Sequence, residues 1–426
     1  MKTETFINIL KNELVIALGC TEPVAIALAA AKARSYVGGK INKITVYASA
    51  GIIKNALAVG IPGTGLTGID FVAALGAIAG NAEKQLEVLA DIKPEHITEA
   101  QEMVKEGISV VHLADTPRKL YIEVVIEAEM RYAKVVITDN HTNITLVEVD
   151  GKVVDTGGCA SASFKSSKEE RSELTIDSIV EFVNTVDLED LSLVKQSIEL
   201  NRKAGIDGLT HAYGLEVGKT IKENVQKGIL SDDLISHAMA LAAAGSDARM
   251  AGSTMPVMAN SGSGNQGIAA TNPVVAAAER LGSSEDKLIR AVTLSHLVTI
   301  HIKSKFGRLS ALCGVTVSGT GASCGITYLL GGGITEIKAA IQNMLGNVTG
   351  MMCDGAKGGC AMKVATCTSA AVQSALLASK GTSISSTNGF IENDAEKTID
   401  NFCRIGNEAT SDIDKLILEM MLNKDI

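Results

Sequence analysis

Residues 351–363 read Met-Met-Cys-Asp-Gly-Ala-Lys-Gly-Gly-Cys-Ala-Met-Lys. Two cysteines, Cys353 and Cys360, bracket a turn-rich loop that can aim both thiolates at one point. The loop sits inside a longer stretch, 309–367, which holds five of the eight cysteines among glycines and other small residues. Cys313 arrives there from a separate segment. Three thiols supplied by short turns between helix-forming runs read as a metal or iron–sulfur site within a mainly helical body.

Working outward, the segment 309–335 carries no charge and is longer than the roughly 20 residues that span a bilayer. Its density of Ser, Thr and Gly suits a buried helix or turn pair touching a site rather than a membrane span. Aromatic residues make up 3% of the chain, Trp is absent and Gly reaches 41 residues. Cores of this composition rely on close backbone approach, so tightly crossing helices are expected.

Helical periodicity dominates from residue 174 onward, over 176–184, 188–204, 213–227, 232–245, 273–281, 285–302, 334–345 and 363–379. The period changes to that of strands over 42–48, 109–113, 119–128, 131–138, 144–149 and 152–155. Two further helices, 4–18 and 23–36, flank a break at Gly19-Cys20-Thr21, and 71–90 reads as another. The expected fold is α+β. A large, mainly helical catalytic domain (1–37 and 174–426) carries a smaller α+β module (38–160) inserted after the first two helices, and a polar Ser/Lys/Glu run (161–173) forms the linker.

The totals bound the function. With 426 residues, the chain needs no metal to staple a small core, so a metal here serves chemistry. A net charge of −9 without a long basic run argues against nucleic acid or an anionic membrane as partner, and favours a small-molecule substrate. The N-terminal run lacks the uninterrupted apolar core of a signal peptide, which points to the cytoplasm and to reduced cysteines. The chain is also compatible with a homo-oligomer.

Cys20 falls beside a predicted helix N-terminus, where the helix dipole and unpaired amides lower a thiol pKa; the plainer reading is a buried structural cysteine. The run Gly262-Ser263-Gly264-Asn265-Gln266-Gly267 matches G-x-G-x-x-G, but lacks the clean strand and βαβ unit of a dinucleotide site. It does offer Asn260, Ser261, Ser263, Asn265 and Gln266 as neutral donors and acceptors for a small carboxylate, against the alternative of an elaborate helix–helix turn. Zinc competes for the thiols, yet none of the seven histidines supplies a close second pair. Three thiolates and an open position suit a [4Fe–4S] cluster with one iron free for substrate, with Cys324 or Cys367 as an alternative fourth ligand. Cys159 and Cys403 read as small core residues, as do Cys324 and Cys367 by default. His296 and His301, five apart, read as helix residues, and Lys303, Lys357 and Lys363 as solvated lysines flanking the cysteines.

Taken together, Gly19-Cys20-Thr21-Glu22-Pro23, the run from Ser261 to Gly267, Leu312-Cys313-Gly314 and the 351–363 loop resemble the L-cysteine desulfidase family. That family is related to the catalytic chain of iron–sulfur L-serine dehydratases. The resemblance covers essentially the whole chain. It implies an oxygen-sensitive [4Fe–4S] lyase, independent of pyridoxal phosphate, that converts L-cysteine and water to pyruvate, ammonia and hydrogen sulfide by β-elimination. It further implies Cys313, Cys353 and Cys360 as cluster ligands and Cys20 as a further functional cysteine, here read as the base for the α-proton. The competing readings are an L-serine dehydratase with the same cluster, a non-catalytic iron–sulfur sensor and a nicotinamide-dependent enzyme.

Overall fold

The computed structural model describes residues 2–129, 131–156, 171–306, 310–409 and 411–424. Helix α1 (Thr3–Glu13) gives way to a short strand, β1 (Leu14–Ala17). A single helix over 4–18 was expected. The run Leu-Val-Ile-Ala instead pairs antiparallel with β8 (Val257–Asn260), Leu14 opposite Asn260 and Ala17 opposite Val257. A strand partner more than two hundred residues away outweighs the local helical period, as β-branched side chains accept the pleat readily.

Helix α2 (Thr21–Arg34) follows, with Pro23 in its first turn. Strand β2 (Ile41–Ala48) then leads into α3 (Ala50–Ala56) and α4 (Ile69–Ala79). The helix expected over 71–90 ends at Ala79. Beyond it the Asn81 side chain accepts from the Glu83 amide, and Gln85 takes a positive φ of 48° inside a short 3₁₀ segment. Helix α5 (Pro94–Lys105) was not expected, although Pro94 stands at a favoured first position.

Strands β3 (Ser109–Leu113), β4 (Tyr121–Ala128), β5 (Arg131–Thr138), β6 (Ile144–Val149) and β7 (Lys152–Asp155) complete a six-stranded sheet in the order β3-β2-β4-β5-β6-β7. The β2–β3 pair is parallel and the others antiparallel. Alternate residues of β4, Ile122, Val124 and Ile126, are buried in one core with the alanine-rich α2 and with α4. The N-terminal helices therefore diverge. α1 joins the helical core, where Phe6 stacks on Phe182 with ring centroids 4.4 Å apart, and α2 joins the sheet core.

The helical body comprises α6 (Ile176–Thr185), α7 (Ser192–Thr210), α8 (Val217–Gln226), α9 (Leu234–Met250), α10 (Gly264–Leu281), α11 (Glu285–Phe306), α12 (Gly314–Leu329), α13 (Ile334–Val348), α14 (Cys360–Ala378), α15 (Ala395–Glu408) and α16 (Ser411–Leu422). The uncharged segment forms α12, packed among α10, α11, α13 and α14. A Cβ on Gly321 would lie 2.3 Å from Ser295 O, so only hydrogen at that position permits the crossing. The hydroxyls of α12 are satisfied locally: Thr316 Oγ1 donates to Cys313 O, Thr320 to Thr316 O and Thr327 to Ser323 O. No helix among the described residues is long and apolar enough to cross a membrane.

Helix α10 begins nine residues before the expected 273, and Pro273 is carried inside it. The run carrying Ser261, Ser263, Asn265 and Gln266 is thus a three-residue turn followed by a helix N-terminus. Cys159 and most of the expected linker, 161–170, lie outside the described residues.

Candidate active site

Four helices present their N-termini to one cavity of about 90 Å³. Cys20 caps α2, Ser263 caps α10, Cys313 caps α12, and Cys360 is the first residue of α14. Each N-terminus carries roughly half a positive charge and unpaired amide donors, so the cavity favours anionic groups.

Local pairing brings the cysteines there. Cys313 N donates to Met351 O at 2.9 Å and Cys353 N to Ala311 O at 2.7 Å, so the two cysteine segments run as a short antiparallel bridge. The loop between Cys353 and Cys360 is braced from within: Asp354 takes ion pairs from both Lys357 and Lys363, and Lys363 Nζ also donates to Met352 O at 2.7 Å. These two lysines brace the loop while staying partly exposed to solvent. Lys303, expected to be solvated, is instead buried, over the Phe306 ring.

Burial pushes the Cys313 and Cys360 thiols up, and the mutual repulsion of Cys313, Cys353 and Cys360 adds to it. Thiols in this state ionise when they ligate a metal. Among the described residues no three His, Cys, Asp or Glu side chains converge on a single-ion site. Three thiols lining one cavity are a soft donor set that fits an iron–sulfur cluster. Cys324, Cys367 and Cys403 stand outside the cavity, their Sγ atoms against Ile337 O, Met351 Sδ and Ile302 O.

Ser263, Asn265 and Gln266 also line the cavity. Ser263 Oγ is engaged as the α10 cap and Asn265 Oδ1 accepts from Ser246, whereas the buried Gln266 Oε1 has no partner. Gly267 lets α10 lie against β8, since a Cβ there would fall 1.8 Å from Met258 O. Asn260 and Ser261 do not reach the cavity. Asn260 Nδ2 donates to His296 Nδ1 at 3.0 Å and its Oδ1 accepts from Ser261 Oγ at 2.8 Å, so both tie the turn to α11.

Three lining residues, Glu22, Asn55 and Arg249, were not anticipated. Arg249 is 4% exposed and stands on the last turn of α9, beyond the residue 245 at which periodicity placed the helix end. Its Nε donates to Gly19 O at 3.1 Å, and a Cβ on Gly264 would meet that nitrogen at 2.2 Å, so the glycine leaves the guanidinium its place. Glu22 is 8% exposed; its Oε2 accepts from Cys20 Sγ at 3.1 Å and Thr21 Oγ1 at 3.0 Å, and its Oε1 from Asn55 Nδ2 at 3.1 Å. The buried Asn55 Oδ1 has no partner. No ion pair joins Glu22 to Arg249. The tripeptide Thr21-Glu22-Pro23 beside Cys20 was the one available signal for Glu22.

Electrostatics reverse the expected state of Cys20. Burial, followed by the neighbouring Glu22 carboxylate, pushes its thiol far above the ordinary range and overrides the helix N-terminus. Burial also works to raise Glu22, but His141, the Cys20 thiol and Arg249 together hold its carboxyl below the usual range. Without a bound substrate, the pair is a thiol donating to a carboxylate.

A family model described as the serine dehydratase alpha chain matches residues 83–419. The chain belongs to the serine dehydratase alpha chain family. Its matched span takes in Arg249, the Ser263–Gln266 turn and the three clustered cysteines. Full-length relatives extend the likeness across 98% of the chain. A UPF0597 protein of Oleidesulfovibrio alaskensis is 46% identical over 419 residues, 98% of each chain. A UPF0597 protein of Shewanella pealeana is 44% identical over 425 residues, again 98% of each. A third, of Bacteroides fragilis, is 43% identical over 419 residues, 98% of this chain and 97% of its own. These names state no substrate, and the resemblance read from the motifs holds at the level of the dehydratase-related family.

Proposed function

We propose that the protein is a cytoplasmic β-eliminating lyase that degrades L-cysteine to pyruvate, ammonia and hydrogen sulfide, with a [4Fe–4S] cluster held by Cys313, Cys353 and Cys360. The observation that carries this reading is the pair of buried, opposite charges facing one cavity without meeting: Arg249 and Glu22. A zwitterionic α-amino acid satisfies both. The guanidinium fork takes the carboxylate through paired N–H bonds, and Glu22, Asn55 Oδ1 and Gln266 Oε1 are acceptors for the ammonium group. Leaving Asn55 Oδ1 and Gln266 Oε1 unfilled costs desolvation that a substrate ammonium recovers.

When bound, the cluster supplies a soft Lewis-acidic iron for the departing sulfur. The protein's own part is to hold the substrate and to move one proton. Cys20 Sγ is the base for the α-proton. Entry of an ammonium beside it favours the thiolate over the thiol, whose proton leaves to bulk water, and the Glu22 carboxylate, 3.1 Å from that sulfur, stays ionised as the ammonium's counter-charge. The helix N-termini favour the carboxylate and the leaving sulfide alike. On this reading the sheet-bearing segment 38–160, which shares its core with α2, is a module that lends Asn55 to the site.

The second reading, an L-serine dehydratase, is favoured by the description of the matching family model. Anaerobic reconstitution with iron and sulfide, followed by parallel assays of sulfide from L-cysteine and pyruvate from L-serine, separates the two. Faster turnover of L-cysteine supports the proposal, faster turnover of L-serine replaces it, and turnover of neither by a cluster-loaded chain removes both.

A further inference from the structure

Lys54 lies one residue before Asn55 yet lines no part of the cavity. Its side chain is 3% exposed, and its ammonium bridges two distant parts of the chain, donating to Cys353 O at 3.0 Å and to Asp414 Oδ1 at 2.5 Å. Asp414 stands in the first turn of α16, and Leu418 of the same helix is buried in the sheet core. The cysteine loop leans on the lysine's backbone as well. Gly355 takes φ +98°, and a Cβ there would fall 2.3 Å from Lys54 O. Cys353 is thereby held on both sides of its α-carbon, its N–H by Ala311 O and its C=O by Lys54 Nζ.

A buried ammonium without a partner is expensive, and removing one member of such a pair leaves the other uncompensated. Lys54 therefore stays beneath Cys353 only while Asp414 is in place. We propose that Lys54 is a positioning residue for the cysteine loop and that the C-terminal helix, through Asp414, locks it: the last helix of the chain holds Cys353 in the orientation that a ligand needs. This rests on the reading of Cys353 as a cluster ligand.

The test is hydrogen–deuterium exchange on the full-length, metal-free, reduced chain, read on peptides covering 351–360, together with iron and sulfide content after anaerobic reconstitution. Asp414→Asn and Lys54→Met should each speed exchange in that peptide at least tenfold while leaving the β4–β5 peptides within twofold. Bound iron should fall to half or less. Lys54→Arg and Asp414→Glu, which keep the ion pair, should return both readouts to within about threefold of the parent. Should Lys54→Met fail to fold, Asp414→Asn, changed at a side chain 24% exposed, carries the test. Unchanged exchange at 351–360 in a folded variant overturns the proposal. A parent chain that binds no iron while the variants still loosen the loop would sink the cluster reading and leave the lock standing.

Discussion

Mild acid should lower the stability of the fold through one histidine that ties the turn beside the cavity to α11. His296 is fully buried, and its hydrogen bonds fix which nitrogen carries the proton. Its Nε2 faces Ser197 Oγ at 3.0 Å and Thr271 Oγ1 at 3.3 Å, and those hydroxyls already spend their protons on Val194 O and Gly267 O. Nε2 is therefore the donor and Nδ1 the acceptor from Asn260. A second proton would sit on Nδ1, against an amide N–H. Burial accordingly lowers the His296 pKa from 6.5 to about 3. In the unfolded chain the imidazole titrates near 6.5, so the unfolded state takes up the proton first as pH falls. The stabilisation is fully present above about pH 6.5 and is lost between there and pH 3, at about 1.4 kcal/mol per pH unit. From pH 7 to pH 5 this one residue removes about 2 kcal/mol. Urea unfolding followed by circular dichroism at several pH values, for the parent and His296→Asn, isolates the effect because the other titrating groups are shared. The stability gap between the two proteins should narrow by about 2 kcal/mol over that interval. Parallel pH dependences would refute the assignment of a neutral, single-tautomer histidine.

Other outcomes follow from the site. Arg249→Met should lower kcat/KM for the amino acid substrate by about 10²–10³-fold, from the roughly 2–5 kcal/mol cost of truncating a buried charged contact, while iron content stays at the parent level. Cys20→Ser should keep the cluster absorbance and lose turnover, and loss of the absorbance would move Cys20 into the ligand set. Cys313→Ala, Cys353→Ala and Cys360→Ala should each lower bound iron, whereas Cys324→Ala, deep in the helical core, should retain it. Gly267→Ala forces a methyl into Met258 O and should cost several kcal/mol, read as a thermal midpoint lowered by many degrees; an unchanged midpoint would deny the close approach of α10 to β8.

The residues carried much of this in their order, though unevenly. The strands of the sheet and the burial of the uncharged α12 follow from patterns local to each segment, and both were readable. The β1–β8 ribbon was not, because its stability lies in pairing between residues 14–17 and 257–260, and the local apolar period of 14–17 resembles a helix. Within the cavity, the four cysteines were legible because thiols are rare and their loops carry recognisable spacing. Arg249 and Asn55 were not, since a lone arginine near a helix end and an asparagine in a short helix acquire meaning only when four N-termini meet. The state of Cys20 was misread for the same reason. Its helix position was visible, but the burial and the Glu22 contact that override the dipole are tertiary.

The walls of the cavity are drawn from residues 20–22, 55, 249, 263–266, 313–315 and 353–360, so no continuous fragment shorter than 20–360 contains it. Synthesis begins at the N-terminus. The sheet module can therefore pair its strands while the cavity still lacks most of its lining. A truncated or nicked chain presents scattered thiols in place of a receptacle. The wide separation of the parts thus makes the site a late arrival in synthesis: it can mature only once the chain has been made past Cys360.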